Sequence, residues 1–534
     1  MTALLPVSVM LPMFGAALAL LFGRQPQAQR LISVGALVAQ LVVEIVMLLQ
    51  VDANGTLVMH IGGWGAPIGI TLVADRLAAS MLVVSTLVTL AVLVYAIAAG
   101  QSDRDATETP VSIFFPAFLL LATGVSNAFL AGDLFNLFVS FEILLTASYV
   151  LLTLGGTKER LQAGGPYIVV SLLSSIIFLS AIALVYTVVG TINLADLAVK
   201  LGGVPDGIVL VLQSMLLVAF GVKAAIWPMS SWLPDSYPNA PAPVTAVFAG
   251  LLTKVGIYAI LRVQTLLFPG DSLQPVLLSI AVVTMLVGIL GALAQPGIKR
   301  LLSFTLVSHI GYLLYGVGLA SAAGVSASVF YVAHHILVQT ALFLAAGLIE
   351  RVSGTTMLAR LGGLAAVSPL LAVLFFLPAM NLAGVPPFSG FLGKVGLFEA
   401  GVENGSTPAI VGVVGGVLTS LLTLYTIVRV WGQAFWREAA DAPDRVDAGG
   451  GGRSSRASGE SGRRLAAARS LPAGMLGATA ATVTVGLLLT VFAGPLFGLA
   501  SRAGDDLMHP DRYITAVLSN TDVGVDPLAG GGTP

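Results

Sequence analysis

Cysteine is absent from the 534-residue chain. Disulfides and cysteine-held iron–sulfur clusters are therefore excluded. Charge is scarce too: charged residues make up 10% of the chain, and the formal net charge is −1. That balance offers no basic surface for nucleic acid. No GxxxxGK[ST] loop occurs, so ATP is not expected to supply energy through this chain. The amino-terminal stretch, residues 1–24, is apolar but has no basic leader. It reads as a first spanning helix rather than a cleaved signal peptide. No carboxylate or thiol stands at ligand spacing from the histidines, so no metal site is expected, and no cofactor is called for.

Apolar residues fill the space that charge leaves. They make up 57% of the chain, and the mean hydropathy is +0.96. This is the composition of an all-α polytopic membrane protein. A spanning helix needs about 20 mostly apolar residues. That rule predicts about fourteen transmembrane helices, near 3–23, 29–50, 72–98, 111–130, 133–153, 166–190, 207–228, 242–265, 274–294, 300–321, 326–349, 366–401, 406–436 and 474–498. Residues 437–470 are rich in Gly, Ser, Arg and Asp, have no apolar period, and read as a disordered cytoplasmic linker. Residues 508–518 are mildly amphipathic and are expected on the outer surface.

Positive charge orients the chain. With the amino terminus outside, the cytoplasmic loops hold sixteen of the 25 Lys and Arg, the outer loops five, and the helices four. Seven of the sixteen lie in the long linker, and the remaining nine still exceed five. The positive-inside rule then places both termini outside.

The most informative stretch is Ala219 to Arg262. Lys223 and Lys254 each sit in an apolar run, and between them lie Pro228, Pro234, Pro238, Pro241 and Pro243. A central lysine costs a membrane helix about 2.5–3.5 kcal/mol on insertion scales. Irregular backbone at membrane depth is tolerated only where protein or water covers it. Two cations around a broken seventh helix therefore point to an ion path. The twelfth helix is broken too, at Pro386 and Pro387, shortly before a third lysine, Lys394. Snorkelling to an aqueous face is the bland reading of Lys394 and Lys223.

Glu142 lies nine residues past Asp133, about 13 Å along a helix and near mid-membrane. Lys223 is its natural partner. A pair that merely holds helices together is the structural alternative, although burying an ion pair is a poor way to gain stability. His309, His334 and His335 fall in the tenth and eleventh helices and could relay protons. His335 and Gln339 share a helix face. A lone membrane histidine can equally be a hydrogen-bonded packing residue. Glu44, inside the second helix, has no evident place in a path. Arg429 is expected near a cytoplasmic end.

These residues resemble a known family. The stretches GGWGAPIGITLVAD (62–75), DLFNLFVSFE (133–142), WLPDSYPNAPAP (232–243), FAGLLTKVGIYAILR (248–262) and PLFGLASRAGDDLMHPDRYITAVL (495–518) resemble the D-type subunit of the Mrp-type multisubunit Na+/H+ antiporters. The glutamate, lysine and broken-helix pattern is shared more widely, with antiporter-like subunits of respiratory NADH–quinone oxidoreductase and membrane-bound hydrogenases. The resemblance implies two inverted five-helix repeats, 111–265 and 266–436, between three leading helices (1–110) and a closing section (471–534). By matching position it implies a Glu142–Lys223 ion pair, a relay through Lys254 and His335, and Lys394 near one exit. His309, His334, Gln339 and Asp133 are secondary relay candidates.

Three positions depart from the pattern. Gln339 stands where many relatives have lysine, leaving the second half less charged. Ser230 stands where respiratory relatives usually have histidine, which favours the antiporter branch. Gly297 stands where Asp is frequent, weakening a helix cap. The expected function is that of a secondary transporter subunit, not an enzyme. It would exchange Na+ for H+ with partner subunits in a prokaryotic plasma membrane. The alternative is a proton-pumping subunit of a redox complex.

Overall fold

In lipid, backbone polar groups must find partners within their own segment, so apolar runs of this length fold as helices. The computed structural model describes residues 2–100, 113–270, 273–438, 441–443 and 471–519. Most of the predicted 437–470 linker lies outside them. Within it, Arg437 donates to the Leu358 and Leu361 carbonyls.

The chain opens with α1 (Leu4–Leu21) and α2 (Pro26–Asn54). A hairpin of β1 (Leu57–His60) and β2 (Thr71–Ala74) follows, antiparallel, with Leu57 opposite Ala74 and His60 opposite Thr71. Then come α3 (Arg76–Ala98), α4 (Phe114–Leu130), α5 (Leu134–Thr153), α6 (Lys158–Val189) and the short α7 (Leu194–Lys200). The third predicted helix thus starts late. Residues 72–74 are strand because Asp75 caps α3, its carboxylate accepting from the Ala78 amide at 2.9 Å. Among the described residues this two-stranded hairpin is the one sheet in an otherwise helical fold.

The seventh predicted helix, α8 (Asp206–Ala224), stops one residue after Lys223. Ala225 takes a left-handed conformation, φ 58°. A turn, α9 (Trp232–Ser236) and α10 (Ala242–Val247) fill the proline-rich stretch. The helix then widens to i→i+5 bonding over Phe248–Leu252 and continues as α11 (Thr253–Leu266). Next are α12 (Gln274–Leu293), α13 (Ile298–Gly318), α14 (Ala322–Ser353) and a single turn, α15 (Leu364–Val367). The twelfth predicted helix is two helices, α16 (Pro369–Ala383) and α17 (Ser389–Asn404), separated at Gly384. The chain ends with α18 (Thr407–Trp431), α19 (Ala473–Val491), α20 (Ala493–Met508) and α21 (Pro510–Leu518). The predicted helix over 474–498 is therefore split at Phe492.

Twelve helices among the described residues are long and apolar enough to cross a membrane, and α4 and α16 are shorter apolar helices. Burial divides them. The Ala242–Leu266 run is buried throughout its apolar window, and α13 and α14 over 94% of theirs, whereas α1 and α2 reach only 33% and 28%. The long helices that carry Lys254 and the three histidines therefore form the centre.

At one end of the bundle, charge ties distant segments. Arg262 donates to Asp75 at 2.5 Å and stacks on Tyr258 and Tyr513. Arg76 bridges Asp52 and Asp506, Arg502 holds Asp52, and Arg512 holds Asp505 and Asp506.

Candidate functional site

The axis begins on α5. Glu142 is half-buried and lines a lateral apolar groove of about 570 Å³ between α4 and α5. One of its oxygens accepts a short hydrogen bond from Ser175 on α6. Ser175 in turn accepts from the Lys223 ammonium at 2.8 Å. Glu142 and Lys223 make no direct ion pair within 4 Å; Ser175 stands between them. Lys223 also reaches the Ser171 carbonyl at 3.5 Å and lies 5.4 Å above the Phe141 ring. Ser174 pins α6 to α8 through the Ala219 carbonyl at 2.9 Å. A cavity of about 10 Å³ beside Lys223 is of the size that admits about one water.

Lys254 is fully buried and donates to the Ala249 carbonyl at 2.5 Å. The widened turn puts that carbonyl within reach, a device found at functional sites. Gly256 explains how Lys254 comes beside the end of α8. A Cβ there would sit 2.7 Å from the Ala224 amide, so only glycine lets α8 and α11 approach this closely. Gly250 packs in the same way on Thr340 of α14.

The histidines continue the row. His309 and His335 stack with ring centres 5.1 Å apart, and His309 shares a 2.7 Å hydrogen bond with the Tyr331 hydroxyl. Tyr331 lies 5.1 Å from the His334 ring, and His334 bonds Ser389 at the start of α17 at 3.0 Å. Lys394 sits on the Leu382 and Ala383 carbonyls at 3.1 and 3.0 Å, and 5.0 Å above Tyr312. Those carbonyls end α16, where the negative pole of a helix favours a cation. Gly384 makes room: its φ is +83°, and a Cβ would stand 3.0 Å from Lys394 Cδ. Both nitrogens of His335 and one each of His309 and His334 are buried without a protein partner. Buried polar atoms of this kind are normally satisfied by ordered water.

Other expected residues fall elsewhere. Asp133 caps α5, accepting from the Asn136 amide at 2.6 Å, and does not join the row. Gln339 donates to the Leu302 carbonyl at 2.8 Å, tying α14 to α13. Ser230 lies in the turn after α8, and Gly297 opens α13 with no side-chain cap. Arg429 closes the end of α12, donating to the Leu293 and Gln295 carbonyls. Ser175, Ser171, Tyr331, Tyr312 and Ser389 do not stand out in the sequence. Ser171 and Ser175 are four apart and share a helix face, but Ser174 and Ser180 lie in the same helix, so spacing alone does not single them out.

Residues 131–423 match the family described as NADH:quinone oxidoreductase/Mrp antiporter, TM. The chain belongs to that family. It is 38% identical to the D-type subunit of the Na(+)/H(+) antiporter of Alkalihalophilus pseudofirmus, over 97% of this chain and all of that protein. It also resembles a chain in the structure of the Mrp complex from a Dietzia species, with TM-score 0.86 and 33% identity. The match covers 97% of this chain and all of that one. A chain of the membrane-bound sulfane sulfur reductase, an archaeal respiratory membrane complex, aligns with TM-score 0.82 and 25% identity, over 96% and 99%. The members of the NADH:quinone oxidoreductase/Mrp antiporter family thus provide the frame in which the row from Glu142 to Lys394 is read.

Proposed function

We propose that this chain is a subunit of a monovalent cation/proton antiporter complex in a prokaryotic plasma membrane, and that Na+ is the cation exchanged. Protons move along Glu142, Ser175, Lys223, Lys254, His335, His309, Tyr331, His334 and Lys394, with water between the groups. The observation that carries this reading is the Glu142–Ser175–Lys223 bridge beside a broken helix. A hydroxyl that both donates and accepts can pass a proton, and Lys223, freed from Ser175, can swing toward Lys254. Buried ionisable groups inside a membrane protein are costly and tend to mark such relays.

The same reading takes the chain as fourteen spans, α4 and α16–α17 included, with two inverted five-helix repeats and both termini outside. A polar vestibule of about 530 Å³, lined by Arg160, Pro241, Lys299, Glu350 and Arg351, lies at the end read as cytoplasmic. It opens against the segment that leads to Lys254. The cation crosses through neighbouring subunits or a path shared with them, and Gln339 makes the second half the less charged one.

The test uses everted vesicles from cells without their own antiporters, expressing this chain with its partner subunits. A respiration-driven pH gradient should collapse on adding NaCl, and Lys223→Ala should lower the initial rate by at least about tenfold with assembly intact. If Glu142→Ala and Lys223→Ala both exchange normally in assembled protein, the relay is wrong. If the wild-type complex assembles but responds to neither Na+, K+ nor Li+, a redox-driven proton pump is the better reading.

A further inference from the structure

Glu44 lies outside the row described above. It is 0% exposed, in the middle of α2, and faces a polar cluster shared by α1, α2, α3 and α4. Its Oε1 accepts from Ser8 at 2.7 Å and from Gln40 Nε2 at 2.9 Å. Gln40 Nε2 also donates to Ser126 at 2.7 Å, and Thr86 faces the same carboxyl. Two buried oxygens at this spot have no hydrogen-bond partner: Glu44 Oε2 and Gln40 Oε1. Both are acceptors.

Electrostatics limits what can satisfy them. Among the described residues, no Lys, Arg or His forms a salt bridge with Glu44. Helices α1 and α4 carry no ionisable residue; Arg76 and Tyr95 lie at the two ends of α3, and Arg30 and Asp52 near the ends of α2. A bare carboxylate at this depth is untenable. The site is therefore neutral, with either a proton or a cation on Glu44. A proton on the carboxyl removes the buried charge. A cation can do the same, because the cluster supplies oxygens: the carboxylate, the Gln40 carbonyl and the hydroxyls of Ser8, Thr86 and Ser126. Hard oxygen donors suit alkali and alkaline-earth ions. One negative charge neutralises a monovalent ion, whereas a divalent ion would leave a net charge buried.

We propose that Glu44, Gln40, Ser8, Thr86 and Ser126 form a monovalent-cation site at which a cation of the Na+ class replaces the proton on Glu44. Exchange is one for one: the carboxyl O–H bond breaks, the proton leaves, and the cation takes its place on the same oxygens. The site is separate from the lysine and histidine row and does not rest on the relay reading.

The experiment measures 22Na+ binding to the purified complex with its partner subunits. Wild type should bind one more Na+ per copy of this chain than Glu44→Gln. Its apparent affinity should rise about tenfold per pH unit where proton and cation compete. Equal binding by the two proteins overturns the proposal. If Glu44→Gln does not assemble, Ser126→Ala takes its place, and a Na+ affinity less than about threefold below wild type overturns it instead. A second readout uses wild type alone. Dicyclohexylcarbodiimide should modify Glu44, mapped by mass spectrometry, and NaCl but not choline chloride should slow the modification at least about fivefold. No modification in Na+-free buffer, or a rate that Na+ leaves unchanged, sinks the idea. Vesicles that fail to antiport would refute the transport reading and leave this binding result standing.

Discussion

Ser175 is the residue on which the amino-terminal half of the proposed path depends. It accepts from Lys223 and donates to Glu142, so the carboxylate and the ammonium communicate without touching. Hydrogen bonds to charged groups contribute about 1.5–3 kcal/mol each. Ser175→Ala is expected to lower Na+-driven collapse of the pH gradient roughly tenfold at unchanged assembly, and Ser175→Thr to restore most of it. An alanine variant as fast as wild type would mean that Glu142 and Lys223 exchange protons by another route. The residue types that carry charge were legible in the sequence, because an ionisable group in an apolar run stands out. The bridge was not, because a serine in a helix is ordinary until its neighbours are known.

At the scale of the element, the breaks matter more than the helices. The end of α8 turns on Ala225, a non-glycine residue with φ 58°. An L-residue in that conformation carries about 1–2 kcal/mol of strain, while glycine does not. Ala225→Gly is expected to stabilise the assembled protein by about 1 kcal/mol and Ala225→Val to destabilise it, read as the order of melting temperatures in detergent. A valine variant as stable as wild type would show that the turn relaxes. The prolines announced that the seventh and twelfth predicted helices are interrupted. They did not announce the widened turn over Phe248–Leu252, which contains no proline. That feature comes from packing: Gly250 against Thr340 and Gly256 against Ala224 set how α10–α11 is held, and hence the Lys254–Ala249 contact.

For the whole molecule, the closing segment acts as a clasp. Helix α20 lies across one end, joined to α2 and α3 through Asp52, Arg76, Arg502 and Asp506, and Arg512 ties α21 to Asp505 and Asp506 of α20. Tyr513 and Val517 form the buried face of α21. The hydrogen bond from Arg512 holds the exposed Asp505 carboxyl below the usual carboxylate range. A depressed folded value stabilises the docked form above the unfolded value, near 4, and that contribution is lost as pH falls through it. Protection of 510–518 from hydrogen exchange, corrected for the intrinsic pH dependence, should therefore be weaker at pH 3 than at pH 6. Equal protection would show that Tyr513 and Val517 hold the tail alone. The sequence marked 508–518 as amphipathic, but its partners, Arg262 of α11 and the segments β1 and α7, are hundreds of residues away.

What the sequence determined by itself was the solvent and the inventory. Long apolar runs dictate membrane helices, because lipid leaves backbone groups no other partners, and each buried charge is visible as an exception within such a run. Proline located the breaks, since it removes a donor wherever it falls. Only the tertiary structure decided which exceptions meet. Glu142, Ser175 and Lys223 come from three helices, His335 and Lys394 from two more, and Glu44 shares its cluster with α1, α3 and α4. Those meetings depend on close approach of helix surfaces at small residues such as Gly256, a property of two segments at once. Periodicity within either segment does not encode it.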